Sequence, residues 1–238
     1  MKRILMMVLR NIIFVPYMWC KLCYHASHVD KYTEEEHLKM LKYIVYRANK
    51  GGNVKIEVHG KENIPKENGF IMFPNHQGMY DMLALIYITD KPLSVVAKKE
   101  VGNIPFLKQV FSCINAKLMD REDIKQSLKV IIEVSKEVAK GRNYVIFPEG
   151  TRSKMGNKLG EFKGGSFKAA TKVKCPIVPV ALIDAYKPFD SNSISNAVVQ
   201  VHILKPLLYE DYKDMKTTEI ATYTHDLIQK TIDEKLNK

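Results

Sequence analysis

The sequence predicts an α/β fold: a mostly parallel central sheet flanked by helices, with an N-terminal two-helix membrane-associating hairpin. Short apolar runs rich in Val, Ile and Phe alternate with longer stretches of helical period, the pattern of strand–helix–strand units. Two polar motifs each follow directly on such a run. Asn75-His76-Gln77-Gly78-Met79-Tyr80-Asp81 follows Phe70–Phe73, and Pro148-Glu149-Gly150-Thr151-Arg152-Ser153 follows Tyr144–Phe147. In α/β folds chemistry collects where strands end. The first fifty residues show no strand pattern at all.

Residues 4–24 are apolar but interrupted by Arg10, Asn11, Pro16 and Lys21. A spanning helix needs about twenty mostly apolar residues with few charges. Tyr17, Trp19 and Tyr24, with Lys2, Arg3 and Lys21, suit a water–lipid interface instead. No small-residue cleavage site follows, so a secretory signal is not expected. Thr33 with Glu36 forms a capping box for a second helix. Its stripe is Leu38, Leu41, Ile44, Val45 and Ala48, and Gly51-Gly52 ends it. Residues 1–50 therefore read as a hairpin lying in one leaflet, and residues 51–238 as the α/β domain. The alternative is that both helices simply pack on that domain.

From Val54 the pattern becomes strand-like. Strands are expected at 54–58, 69–74, 93–97, about 115–119, 143–147, 176–183 and 198–204. Helices are expected at 77–89, 103–112, 122–140, 161–173 and 217–236. The helix at 122–140 starts at an acidic turn and carries Ile124, Leu128, Ile131, Ile132, Val134 and Val138.

The chain has 238 residues, 46% of them hydrophobic, enough to bury a full core. Its net charge of +11 implies a negatively charged partner: anionic lipid, an acidic carrier or a phosphorylated substrate. Nucleic acid is not expected, because no basic helix or RNA-binding signature accompanies the charge. From Arg152 to Lys174 there are seven basic residues against one acid, Glu161, a net +6. With Gly164-Gly165 inside it, this run reads as an anion cradle or as a solvated charged loop.

The four cysteines do not form a secreted disulfide framework in a chain this long. Cys20-x-x-Cys23, with His25 and His28, sits at the end of an apolar helix, the wrong setting for a zinc knuckle. No metal is expected. His76 stands five positions before Asp81. A neutral imidazole accepts a proton from a hydroxyl near physiological pH, and a carboxylate fixes its tautomer and stabilises the imidazolium. By spacing alone the pair could equally be surface groups beside a helix capped by Asn75. Glu149-Gly150-Thr151-Arg152 offers a fork of N–H donors and a hydroxyl, which suits a phosphate.

Taken together these residues resemble the glycerolipid acyltransferase family that includes bacterial lysophosphatidic acid acyltransferases. The resemblance covers most of the chain after about residue 55, in four blocks in the family's order. His76 and Asp81 match H-x4-D. Lys98-Lys99-Glu100 through Pro105-Phe106 to Arg121 is similar to the second block. Phe147–Arg152 matches F-P-E-G-T-R, and Cys175–Ala181 is similar to the fourth block, a strand with V-P-V. Val101, Lys108 and Asn115 depart from the second block, which leaves the acceptor's identity more open than the reaction type.

The resemblance implies acyl transfer from acyl-CoA or acyl-carrier protein to the free hydroxyl of lysophosphatidic acid, forming phosphatidic acid at the cytoplasmic face of the cell membrane. His76 would be the base and Asp81 its partner. Lys98, Arg121, Thr151 and Arg152 would bind the acceptor, with Glu149 and Gly150 shaping its glycerol site. Backbone N–H groups beside His76 would meet the oxyanion. No Ser or Cys nucleophile stands beside His76, so a single ternary step fits better than an acyl-enzyme. The thioester is already activated, so no cofactor is required. Three other readings remain: acylation of glycerol 3-phosphate or another lysolipid, a thioester hydrolase, and a basic peripheral membrane-binding module without turnover.

Overall fold

The computed structural model describes residues 2–237. Seven strands form one sheet in the order β1-β7-β6-β2-β5-β3-β4. They are β1 (Val54–His59), β2 (Ile71–Pro74), β3 (Ser94–Lys98), β4 (Lys117–Met119), β5 (Tyr144–Val145), β6 (Ile177–Ile183) and β7 (Ala197–Ile203). All neighbours pair in parallel except β6 with β7. The mostly parallel sheet is thus as expected. Its polarity splits: β2 to β6 run one way, and β1 with β7 run the other. The starts of β1 and β7 therefore lie at the edge where the other five strands end.

Helices cover both faces, which is why β2 and β6 are apolar at every position instead of alternating. In β6, Val178, Val180 and Leu182 belong to one core, while Ile177, Ala181 and Ile183 belong to the other. The first core is closed by α2 (Val15–Ser27), α3 (Glu34–Gly52), α4 (Asp81–Ile88) and α5 (Leu107–Cys113). The second is closed by α6 (Ile124–Val138), α7 (Lys168–Val173) and α10 (Thr217–Leu236). Before β1 lies α1 (Lys2–Arg10); two short helices, α8 (Lys187–Asp190) and α9 (Tyr209–Tyr212), complete the chain.

The N-terminal hairpin is present with its first arm broken. The stretch expected as one helix is α1 and α2, bent by 99°. Asn11 sits at the break, its amide donating to Met7 O at 2.8 Å and Arg47 O at 3.0 Å. Pro16 then opens α2, where its missing N–H costs nothing. No single helix among the described residues is long and apolar enough to cross a membrane.

Thr33 and Glu36 make the expected capping box. Gly51 and Gly52 are the last turn of α3, and Asn53 takes the left-handed cap, with φ 53°. The glycines matter for packing: a Cβ on either would run into Met7 or Asn11 of the first arm. On its other face α3 buries Leu38, Leu41 and Val45 in the first core, in one cluster with Phe70, Met72 and Val180.

The first arm is inside out. Arg3 is only 2% exposed, with Nη1 on Gly52 O at 2.6 Å and Nη2 on Ser195 O at 2.8 Å. Leu5, Leu9, Ile12 and Ile13 are 56–84% exposed. Gly52 and Ser195 precede β1 and β7, so this apolar face lies at the edge where β2 ends.

Candidate active site

The first polar motif leaves β2 and crosses the sheet edge as irregular chain. The helix expected from residue 77 starts only at Asp81. The reason is local: Asp81 turns its carboxylate back on the chain before it. Oδ2 accepts from Gln77 N at 2.6 Å and Gly78 N at 3.0 Å, the kind of side-chain turn that competes with a helix. The same oxygen lies 2.8 Å from His76 Nδ1. A carboxylate accepts only, so Nδ1 carries a proton, and Nε2 has no partner among the described residues. Asp81 is fully buried. Burial raises its pKa, and the bonds from His76, Gly78 and Gln77 pull it back. His76 stacks on Phe147, ring centroids 4.2 Å apart.

The second motif leaves β5 and grips the first. Glu149 Oε1 accepts His76 N–H at 2.7 Å, and Oε2 accepts Gly160 N–H at 2.9 Å. Expected beside the acceptor's glycerol, Glu149 is buried, with both oxygens occupied by backbone amides. Its pKa is raised by burial against the pull of those two amides. Ser153 N donates to His76 O at 2.9 Å, a second tie between the motifs. Gly150 has φ +72°, where a side chain would be strained. Arg152 Nη1 lies 3.6 Å from Asp190 Oδ1, and Thr151 is exposed.

These ties decide which amides are free. The N–H groups of His76, Gln77 and Gly78 all point at carboxylates. Of the backbone N–H groups expected to meet the oxyanion, these three are therefore already taken.

Two side chains position the motif through partners that the sequence did not reveal, and Asn75 is not the helix cap it could be read as. Asn75 is pinned across the sheet, its Nδ2 on Leu182 O at 3.0 Å and its Oδ1 on Leu182 N at 2.7 Å. Gln77 accepts from Ala185 N at 2.7 Å and donates to Asn157 at 2.8 Å. Asn157 in turn holds Asp184 through its side chain and backbone N–H. Tyr80, 1% exposed, donates to Asn49 of α3 and so ties the motif to the N-terminal helices. Gly78 packs so closely on Tyr186 that a Cβ would sit 3.1 Å from its Cα.

Lys98 ends β3, and Arg121 follows β4, its neighbour. Both lie on the edge that holds His76. Lys98 pairs with Glu100 at 2.9 Å, and no hydrogen bond or ion pair joins either residue to the His76 cluster among the described residues. Structure therefore brings His76, Asp81 and Glu149 into one hydrogen-bonded cluster, with Gly150 and Arg152 on the turn that follows Glu149, and leaves Lys98 and Arg121 as separate cations further along the edge. Cys20 and Cys23 lie on α2 and join no group of three metal-ligand side chains among the described residues.

A histidine oriented by a buried carboxylate, at a parallel-sheet edge that also carries basic side chains, is an arrangement suited to proton transfer in a group-transfer enzyme. The chain matches the acyltransferase family over residues 55–183 and belongs to it. It is an acyltransferase. The 1-acyl-sn-glycerol-3-phosphate acyltransferase of Borreliella burgdorferi is 35% identical over 156 residues, 65% of this chain and 62% of its own length. That of Escherichia coli is 31% identical over 182 residues, 76% of this chain and 74% of its own length. The crystal structure of the 1-acyl-sn-glycerophosphate (LPA) acyltransferase PlsC from Thermotoga maritima shares the fold. Its TM-score is 0.79 at 22% identity, covering 99% of this chain and 97% of that one.

Proposed function

We propose that this chain moves a fatty acyl group from a thioester, acyl-CoA or acyl-carrier protein, to the free hydroxyl of lysophosphatidic acid, forming phosphatidic acid. The observation that carries the reading is the His76–Asp81 bond of 2.8 Å with Nε2 left free. Nε2 takes the hydroxyl proton as the acceptor oxygen attacks the thioester carbon, and Asp81 stabilises the imidazolium. When the tetrahedral intermediate collapses, the C–S bond breaks and the thiolate takes the proton from Nε2.

A single ternary step is supported by the cysteines. Burial pushes the Cys113 thiol up to about 11 and the Cys175 thiol up to about 12, and both are poor nucleophiles at neutral pH. The names of the curated relatives support the acceptor. Arg152, with Thr151 beside it, would hold the phosphate, and Lys98 and Arg121 would extend that positive edge. No cofactor enters the step.

A lysolipid acceptor requires a site at a bilayer surface. The inside-out α1 supports this, since its apolar face shares the sheet edge with His76. We therefore place the enzyme on anionic membrane at its cytoplasmic face, held by the N-terminal helices.

Thiol release from acyl-CoA and from acyl-carrier protein, each measured with and without lysophosphatidic acid, tests the reading. Release that depends on the acceptor and yields phosphatidic acid is the expected outcome. Release without acceptor would mean a hydrolase, and none with either thioester donor would mean a binding module.

A further inference from the structure

The loop after the second motif returns to it. Lys163 N donates to Pro148 O at 2.9 Å, which seats Lys163 directly against the Glu149–Arg152 turn. Its side chain then lies across Gly150. A Cβ built on Gly150 would be 3.3 Å from Nζ and 3.6 Å from Cδ and Cε. Glycine is thus needed twice there, for its positive φ and for the space that the lysine stem occupies. Lys163 forms no ion pair with any carboxylate among the described residues, unlike Lys98, Lys99 and Lys117.

The turn therefore carries a cation near each end, Lys163 over Gly150 and Arg152 two residues on. Arg152 is partly engaged by Asp190, at 3.6 Å, and Lys163 has no such competitor. Glu149 and Asp81 are both buried in the cluster behind this turn. A phosphate approaching Thr151 comes towards those two carboxylates, and a cation in front of them offsets the repulsion.

We propose that Lys163 is a second phosphate-binding residue of the acceptor site and sets its preference for a phosphorylated over an uncharged acceptor. The inference rests on the acceptor reading above. The test uses the full chain in mixed micelles, one acyl-CoA donor, and two acceptors of equal chain length, lysophosphatidic acid and monoacylglycerol. A wild type without preference between them would overturn the acceptor reading itself. With that preference established, Lys163→Gln should reduce it about 10- to 100-fold, the size of one lost charge-assisted contact. The loss should appear in the acceptor KM with the donor KM unchanged, and Lys163→Arg should restore most of it. Lys136→Gln, which removes an exposed charge from α6, should leave it intact. A preserved preference in a folded Lys163→Gln, or a raised donor KM alone, would overturn the proposal.

Discussion

Glu149→Gln separates a positioning carboxylate from one that touches substrate. Glu149 receives two backbone N–H groups, from His76 at 2.7 Å and Gly160 at 2.9 Å. Glutamine has one oxygen for two donors, and its NH₂ then faces one of the amides. Stranding a buried donor costs about 1–3 kcal/mol, and a lost charge-assisted bond about 1.5–3 kcal/mol. Removing a buried charge offsets part of this, because burial already disfavours the ionised form. A net loss of about 2–3 kcal/mol remains. At about 2–4 °C per kcal/mol for a chain of this size, Tm should fall by roughly 4–12 °C. Where the amide faces His76, the loop shifts and the imidazole leaves its line, which costs about 10²-fold in turnover. Circular dichroism melting and steady-state kinetics read both. The expected pattern is a lower Tm and a lower kcat, with the acceptor KM within about twofold of wild type. An unchanged Tm with a raised acceptor KM would refute the reasoning and place Glu149 against the acceptor.

His76→Ala should lower turnover by about 10²–10⁴ while the melting temperature holds, and near wild-type rates in the folded variant would sink the base assignment. Asp81→Asn should be both slow and less stable, because its NH₂ confronts the amides of Gln77 and Gly78; equal rates at equal Tm would contradict this. The double variant Leu9→Lys/Ile13→Lys should lose at least tenfold in sedimentation with anionic vesicles, since each apolar side chain contributes about 1.5–3 kcal/mol at most. Unchanged sedimentation would move the anchor off α1. Burial holds His202 down at about 4, below its ordinary 6.5. The folded state thus resists its protonation, so its contribution to stability is complete above pH 6.5 and is lost as pH falls towards 4. Denaturant titrations at pH 7 and 4 should show a drop about 2–3 kcal/mol smaller in His202→Gln than in wild type. Equal drops would rule this histidine out as a source of the acid sensitivity.

Local signals were readable and distant ones were not. The β2 and β6 strands showed as unbroken apolar runs because both of their faces are covered. The Thr33 box is complete within four residues. The His76–Asp81 pair was visible through spacing, but its geometry was not, since a helix from residue 77 would have put Asp81 on the next turn. Its carboxylate instead binds the amides that would have started that helix. Asn75 could be read as a helix cap and Gln77 had no role assigned, because their partners, Leu182 and Ala185, lie 107 and 108 positions away. The bond from His76 N–H to Glu149 was not legible, as nothing in the Glu149 segment reveals that this amide needs an acceptor. The first arm was readable as an apolar, interfacial stretch; that Arg3 faces inward depends on Gly52 and Ser195, which only the fold brings to it.

The Asn75–Leu182 clamp bears on how the chain comes to be active as it is made. His76 is held from three directions: by Asp81 close at hand, by Glu149 across 73 positions, and through Asn75 across 107. The nearest hold can form early, and the farthest must wait for β6. Long closures of this kind are slow, and their entropy cost is met only when the final partner docks. A growing chain released before Leu182 would carry the whole dyad and still lack the strand that fixes it. Activity should therefore arise late and all at once during synthesis, so a half-built enzyme, its motifs already complete, performs no chemistry.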